Sequence, residues 1–251
     1  MAYLVFISLG IVLGALARRI APEPEPPFKE ALRLLAVIGA VSGAVIFQMP
    51  ADFFGWSAGL AGEPIVMRAF GGRTLVGGLL GGWIVVEIGK WALGVRRSTG
   101  DGFALPLAVG LACGRMGCFF TGCCAGRPAE AGSWWSGLAM RDAHGIARFP
   151  AQLTEVAFHA ACAALLYVGW RRGALGSRRF ALYVAGYAAF RFAIEAVREN
   201  PRLALGLSYY QWLSLPLFAL SFGMFAVRTL RPKAATPAPA ATAEPPPREE
   251  R

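Results

Sequence analysis

Charge is what this sequence has least of. Only 16% of its 251 residues are Asp, Glu, Lys or Arg, where a soluble domain carries about a quarter. Acidic residues number 15 and histidines 2. The five cysteines are too few for a disulfide scaffold, and three of them cluster within seven positions, 118–124, so they are not scattered core residues either. The first apolar run lacks a basic leader and has no small-residue cleavage site before Arg18 and Arg19, so a cleavable signal peptide is not expected. No internal repeat is evident, which argues against transporters built on inverted repeats.

What fills the chain instead is apolar: 56% hydrophobic residues and a mean hydropathy of +0.49. The net charge of +10 does not indicate nucleic acid, because the basic residues lie between apolar runs and not as a patch on a polar domain. A bilayer core needs roughly 20 apolar residues in a helix. The stretches 3–16, 32–48, 71–93, 103–120, 151–170, 180–197 and 212–227 meet or approach this length. Barrel-type alternation is absent, so the expected fold is all-α, a polytopic membrane protein with about seven transmembrane helices.

Orientation follows from the basic residues. Arg18, Arg19, Lys29 and Arg33, then Arg96 and Arg97, then Arg171, Arg172, Arg178 and Arg179, and finally Arg228, Arg231 and Lys233 all fall on one side of seven spans. The positive-inside rule makes that side cytoplasmic, with the N-terminus outside and the C-terminus inside. The expected organisation is one membrane-embedded helical domain over residues 1–230, with outer loops 50–70 and 121–150. Trp56, Trp134, Trp135, Tyr209 and Tyr210 suit the outer interface. The loop 121–150 is too long for a turn and reads as a functional loop or a small head. Residues 231–251, rich in Pro, Ala and Glu, read as a disordered cytoplasmic tail.

Polar residues at membrane depth are the candidates for function. Glu87 and Lys90, at i,i+3, read as a helix-surface ion pair. Arg115 is near the outer end of the fourth span. Arg191, Glu195 and Arg198 fall on one helical face of the sixth, and Gln152 and Glu155 open the fifth. These arginines share the outer half of the bilayer, and guanidinium groups bind phosphate bidentately, so a phospholipid headgroup pocket is expected. Arg191 and Glu195 also fit an intrahelical ion pair, leaving Arg198 for an anion; Gln152 and Glu155 suit either hydrogen bonds to the headgroup or holding an arginine in place. The glycines of span three, at 71, 72, 77, 78, 81 and 82, fit close helix packing, with the outermost also suited to backbone near a lipid. His159 reads as a core histidine, and His144 as a loop residue able to swing inward.

Several separated motifs then line up: GGRTLVGGLLGG (71–82), Asp101 with Pro106, GRMGCFFTGCCAGRP (114–128), FPAQLTE (149–155), YAAFRFAIEAVREN (187–200) and Gln211-Trp212-Leu213-Ser214 at the start of span seven. In order and spacing, over about residues 32–217, the chain resembles the bacterial prolipoprotein diacylglyceryl transferase family. That resemblance implies a multi-pass inner-membrane enzyme whose site opens to the periplasm. It implies transfer of a diacylglyceryl group from phosphatidylglycerol to the lipobox cysteine of a prolipoprotein signal peptide, with release of glycerol phosphate and no cofactor. Arg115 matches the arginine of the family's GRxGNF signature, Arg191 and Glu195 its RFxxE pair, and these three are the expected catalytic residues. Arg198, Gln152 and Glu155 match expected substrate-binding positions. Cys118 and Cys123 stand where the family has an asparagine and an acidic residue, and they are placed in the same group. The family's histidine falls at Val76 and one of its tyrosines at Thr154.

The departures keep a second function open: a lipid-binding member without transfer activity, or one with cysteine-dependent chemistry. For Cys118, Cys123 and Cys124 three readings stand. They are structural thiols or a Cys118–Cys123 disulfide, a thiolate nucleophile activated by Arg115, or a zinc site, for which three thiols without a histidine are a poor set. No metal ligand is assigned.

Overall fold

The computed structural model describes residues 2–23, 27–56, 73–96, 98–130, 132–133, 135–142 and 145–230. Seven helices among them are long and apolar enough to cross a membrane. They are α1 (Ala2–Ile20), α2 (Lys29–Ile46) extended by the single turn α3 (Met49–Phe53), α4 (Leu75–Ala92), α5 (Asp101–Phe120), α6 (Ala151–Arg171), α7 (Arg179–Ile194) and α8 (Tyr209–Leu230). Every backbone amide inside a bilayer must find its partner within the chain, and a helix provides one locally.

Two helix pairs are built on small residues. Gly39 and Gly43 of α2 face Gly81 and Gly77 of α4 so closely that a Cβ on Gly81 would stand 2.4 Å from the Gly39 carbonyl oxygen, and one on Gly43 would stand 2.5 Å from that of Gly77. Gly10 and Gly14 of α1 lie against Gly110 and Pro106 of α5 in the same manner. With no hydrophobic force to press helices together in lipid, such approach maximises dispersion contact. Packing therefore accounts for the glycines at 77 and 81, while Gly71 and Gly72 lie outside the described residues.

Helices α4 and α7 form the centre. Val76, Leu79, Leu80 and Trp83 pack with Ala181, Tyr183, Val184, Tyr187 and Ala188, closed by Ala108 of α5 and Leu213 and Leu217 of α8. Leu4, Val5, Val12, Val41 and Leu165 point outward, as lipid-facing residues do. Glu87 and Lys90 form the expected ion pair at 2.9 Å, but Lys90 is buried and only Glu87 is partly exposed, so the pair is not wholly on the helix surface.

The loop after α5 is a small head. A short hairpin, β1 (Met140–Arg141) with β2 (Ala147–Arg148), closes it. Beneath lies a separate apolar cluster of Trp135, Phe149, Ala151, Ile194 and Val197. Trp135 is fully buried in the head, its ring edge-on to Phe149 at 5.4 Å. Tyr210 is buried as well, its hydroxyl 2.8 Å from Gln48 Nε2, while Tyr209 donates to the Phe47 carbonyl at 2.6 Å. Trp134, His144 and the tail 231–251 lie outside the described residues.

Candidate functional site

The last turns of α5 and α7 and the first turns of α6 and α8 meet at one end of the bundle, and the polar residues singled out in the sequence meet there. Arg115, in the last turns of α5, reaches across to α6 and places Nε 2.7 Å from Glu155 Oε2. Glu155 is fully buried, and its other oxygen lies 3.6 Å from Arg198 Nη1. Arg191 pairs with Glu195 along α7, the expected i,i+4 ion pair. Arg198 Nε approaches the same carboxylate at 3.8 Å.

Helix α7 ends at Ile194 and tightens into a 3₁₀ turn, Glu195–Val197, before Arg198 turns extended. Arg198 therefore does not continue the helical face of Arg191 and Glu195. It reaches the two carboxylates from a strand-like backbone and donates to the Cys124 carbonyl at 3.3 Å. It is loosely held by several groups.

Glu195 is the most fully tied group. Asn200 Nδ2 donates to Oε1 at 2.5 Å and Ser208 Oγ to the same oxygen at 2.9 Å. Arg202 braces the turn from behind, with Nη2 3.0 Å from the Glu195 carbonyl oxygen and Nη1 2.9 Å from Gln211 Oε1. The Arg191 guanidinium also sits over the Tyr210 ring, 5.3 Å from its centroid, a cation–π contact that fixes its plane.

Three guanidiniums thus surround two buried carboxylates, with one positive charge in excess. Buried charges persist only when paired and hydrogen-bonded. The excess makes the site attractive to an anion, and Arg115 and Arg198 retain partial exposure. Glu155 pairs with Arg115, the contact expected of a residue that holds an arginine in place. Gln152 donates to the Cys123 carbonyl at 2.6 Å and so fastens the cysteine loop.

Helix α5 stops at Phe120 and the chain folds back over it. Gly122 (φ 70°) and Cys124 (φ 64°) take left-handed conformations, and Cys123 N donates to the Cys118 carbonyl at 3.1 Å. The sulfurs of Cys118, Cys123 and Cys124 consequently lie within 4.8 Å of one another, Cys118 buried and the other two exposed, all as free thiols. Hydrogen bonds from the Cys118 and Cys123 thiols, with Arg115 and Arg198 adding positive charge, hold the Cys124 thiol below its ordinary value.

Val76 is fully buried among core side chains. His159, one turn below Glu155, is also fully buried; its Nδ1 shares a 2.9 Å hydrogen bond with the Tyr183 hydroxyl and its ring stacks on Tyr187 at 5.2 Å. It is a core histidine, as expected. The residues not singled out in advance are Tyr187, Asn200, Arg202 and Ser208; Gln211 is read only as part of the motif at the start of span seven. Tyr187 carried a readable signal, standing four residues before Arg191 on one helical face and lying within electrostatic reach of Arg115 and Glu155.

Between the α1–α5 pair and the α2–α4 pair lies an apolar cavity of about 660 Å³. Ile11, Val37, Gly82, Leu107 and Leu111 contribute to its wall, and Arg18, Arg33 and Arg228 stand at the end away from the arginine site. On α5 the wall reaches Leu111, four residues and about 6 Å of helical rise from Arg115.

Comparison with known proteins identifies the family. The family model described as prolipoprotein diacylglyceryl transferase matches residues 1–227, and so includes α1. A phosphatidylglycerol–prolipoprotein diacylglyceryl transferase of Aromatoleum aromaticum is 32% identical over 241 residues, covering 89% of this chain and 88% of its own. Proteins of the same name from Bordetella bronchiseptica (32% over 203 residues, 78% and 74% covered) and Dehalococcoides mccartyi (30% over 207 residues, 80% and 78%) are similar to it too. The chain belongs to the prolipoprotein diacylglyceryl transferase family.

Proposed function

We propose that this protein transfers a diacylglyceryl group from phosphatidylglycerol to the cysteine thiol of a prolipoprotein lipobox. The observation that carries the reading is the Arg115–Glu155–Arg198 arrangement. It is a cationic, mostly buried site about one helical turn from an apolar cavity of lipid dimensions. The acyl chains lie in the cavity and the phosphodiester faces Arg115 and Arg198. The acceptor sulfur, as a thiolate whose proton has passed to water, attacks the glyceryl carbon bonded to the phosphate oxygen. A C–S bond forms, the C–O bond breaks, and glycerol phosphate leaves with the electron pair. Arginines already positioned by buried carboxylates stabilise that departing charge without reorganising. Arg191 and Glu195 hold the framework from which Arg198 projects.

The positive-inside pattern supports an N-terminus outside and a C-terminus inside a bacterial inner membrane. The site end of the bundle then faces the periplasm, where lipobox segments emerge. The test is incubation of the purified full chain, in micelles containing phosphatidylglycerol, with a lipobox peptide, read by mass spectrometry. A thioether-linked diacylglyceryl adduct is expected, and it disappears in Arg115→Ala. Folded protein that yields no adduct overturns the reading.

A further inference from the structure

Val76 is fully buried and carries no proton acceptor, and His159 is enclosed in the core, so neither position supplies a base for an acceptor thiol. We propose that Cys118, Cys123 and Cys124 form a trithiolate site for a zinc ion, whose open fourth position takes the acceptor thiol beside the phosphate-holding arginines. The role of the fourth position rests on the transferase reading; the metal site itself does not.

Three features of the geometry converge on this site. The three sulfurs lie within 4.8 Å of one another, and tetrahedral zinc with Zn–S bonds of about 2.3 Å holds its sulfurs roughly 3.8 Å apart, so small side-chain rotations close the set. The loop that gathers them is strained: Cys124 adopts φ 64°, a conformation costing roughly 1–2 kcal/mol for a residue with a Cβ. Glycine would relieve that strain but would remove the thiol. Finally, zinc with three thiolates carries one net negative charge. Arg115 stands one turn before Cys118, and Arg198 donates to the Cys124 carbonyl at 3.3 Å, so compensating charge is at hand.

No fourth His, Cys, Asp or Glu joins the group among the described residues, and Cys123 and Cys124 are exposed. Structural zinc sites are closed by four protein ligands, whereas catalytic ones keep three and an open position. An acceptor thiol entering that position binds as thiolate, because coordination removes its proton outright, and the proton passes to water at the exposed face. The bound sulfur then attacks the glyceryl carbon, and the phosphate leaves toward Arg115 and Arg198.

The experiment uses the full chain, reduced and metal-free in detergent, titrated with Co²⁺ as a spectroscopic probe and with Zn²⁺ in competition. One equivalent of cobalt is expected, with thiolate charge-transfer absorption and the intense visible bands of tetrahedral coordination, displaced by zinc. Cys118→Ser, Cys123→Ser and Cys124→Ser each lose that spectrum; Cys113→Ser and Cys162→Ser keep it. Adding lipobox peptide shifts the visible bands, and a peptide with serine for its cysteine leaves them unchanged. Failure to bind cobalt, binding indifferent to the three cysteines, or a Cys118–Cys123 disulfide in the native protein overturns the site. Binding without a peptide-induced shift overturns the acceptor role. Transfer is assayed in parallel with and without chelator. Transfer that persists without metal overturns the inference and leaves the transferase reading standing. A peptide-responsive cobalt site with no transfer under any metal condition supports the metal site and overturns the transferase reading, and with it the activating role of the fourth position.

Discussion

Arg115 and Glu155 meet across the α5–α6 interface, Nε to Oε2 at 2.7 Å, with the carboxylate fully buried. Under the transferase reading, Glu155 acts through the arginine. Its neutral isostere leaves a guanidinium without its buried counter-charge, a loss of about 3–5 kcal/mol when a buried pair is broken from one side. In Glu155→Gln the thermal midpoint in detergent falls, and kcat/KM falls at least 100-fold. Arg115→Lys keeps the charge and loses the planar fork. It is expected to retain most of the stability and to lose phospholipid affinity, read as a raised KM.

The α2–α4 crossing gives a purely structural prediction. A Cβ on Gly81 would stand 2.4 Å from the Gly39 carbonyl oxygen and 2.6 Å from the Gly43 Cα, both backbone atoms that cannot rotate away. Gly81→Ala must spread the two helices. The cost expected is about 1–3 kcal/mol, as for other overpacked interiors. Gly223→Ala, where a Cβ meets nothing within 4 Å, should leave the midpoint unchanged. Thermal unfolding of the two variants in one detergent checks this.

The spans were legible because bilayer thickness imposes a length and an apolar composition that few other constraints mimic. Their ends were less so. The first span reads as 3–16, yet α1 runs Ala2–Ile20 because Arg18 and Arg19 sit in its last turn, where a helix C-terminus favours cations and long side chains reach outward. The arginines were legible as a group for the same energetic reason that makes them rare in spans. How they engage was not, since Arg198 reaches Glu155 only because α7 breaks at Ile194, and no periodicity encodes that break. The head packs Trp135 on Phe149 and Val197, contacts distant in sequence that leave no local pattern. The meeting of three sulfurs depends on a left-handed Cys124, which the residue type argues against.

The apolar cavity predicts a separation of binding from chemistry. Val37 lines it and touches none of the arginine site. Val37→Trp fills part of the volume that the acyl chains would take. Under the transferase reading, KM for phosphatidylglycerol should rise several-fold while kcat at saturation stays near the parent value, the signature of lost uniform binding. Equal falls in kcat and kcat/KM would show that the cavity is not where the lipid lies.

The head predicts a long-range effect on the site through one glycine. Gly126 threads between Phe149 and Val197: its amide donates to the Phe149 carbonyl at 2.8 Å, and the next amide, of Arg127, donates to the Val197 carbonyl at 2.8 Å. A Cβ on Gly126 would stand 2.6 Å from the Val197 carbonyl oxygen and 2.7 Å from the Phe149 Cβ. The strand of chain carrying Val197 also carries Arg198, so relieving the clash moves the arginine that approaches Glu155 and Glu195. A shift near 1 Å at a positioned group can cost about 100-fold in rate. Gly126→Ala is therefore expected to lower kcat by that order while the seven spans stay folded, whereas Gly137→Ala in the same head, with open space around its Cα, leaves kcat unchanged. Restoration of activity in Gly126→Ala by a second substitution that shortens its neighbour, Phe149→Ala, would not be expected. The closest obstruction is the Val197 backbone, which that change leaves in place.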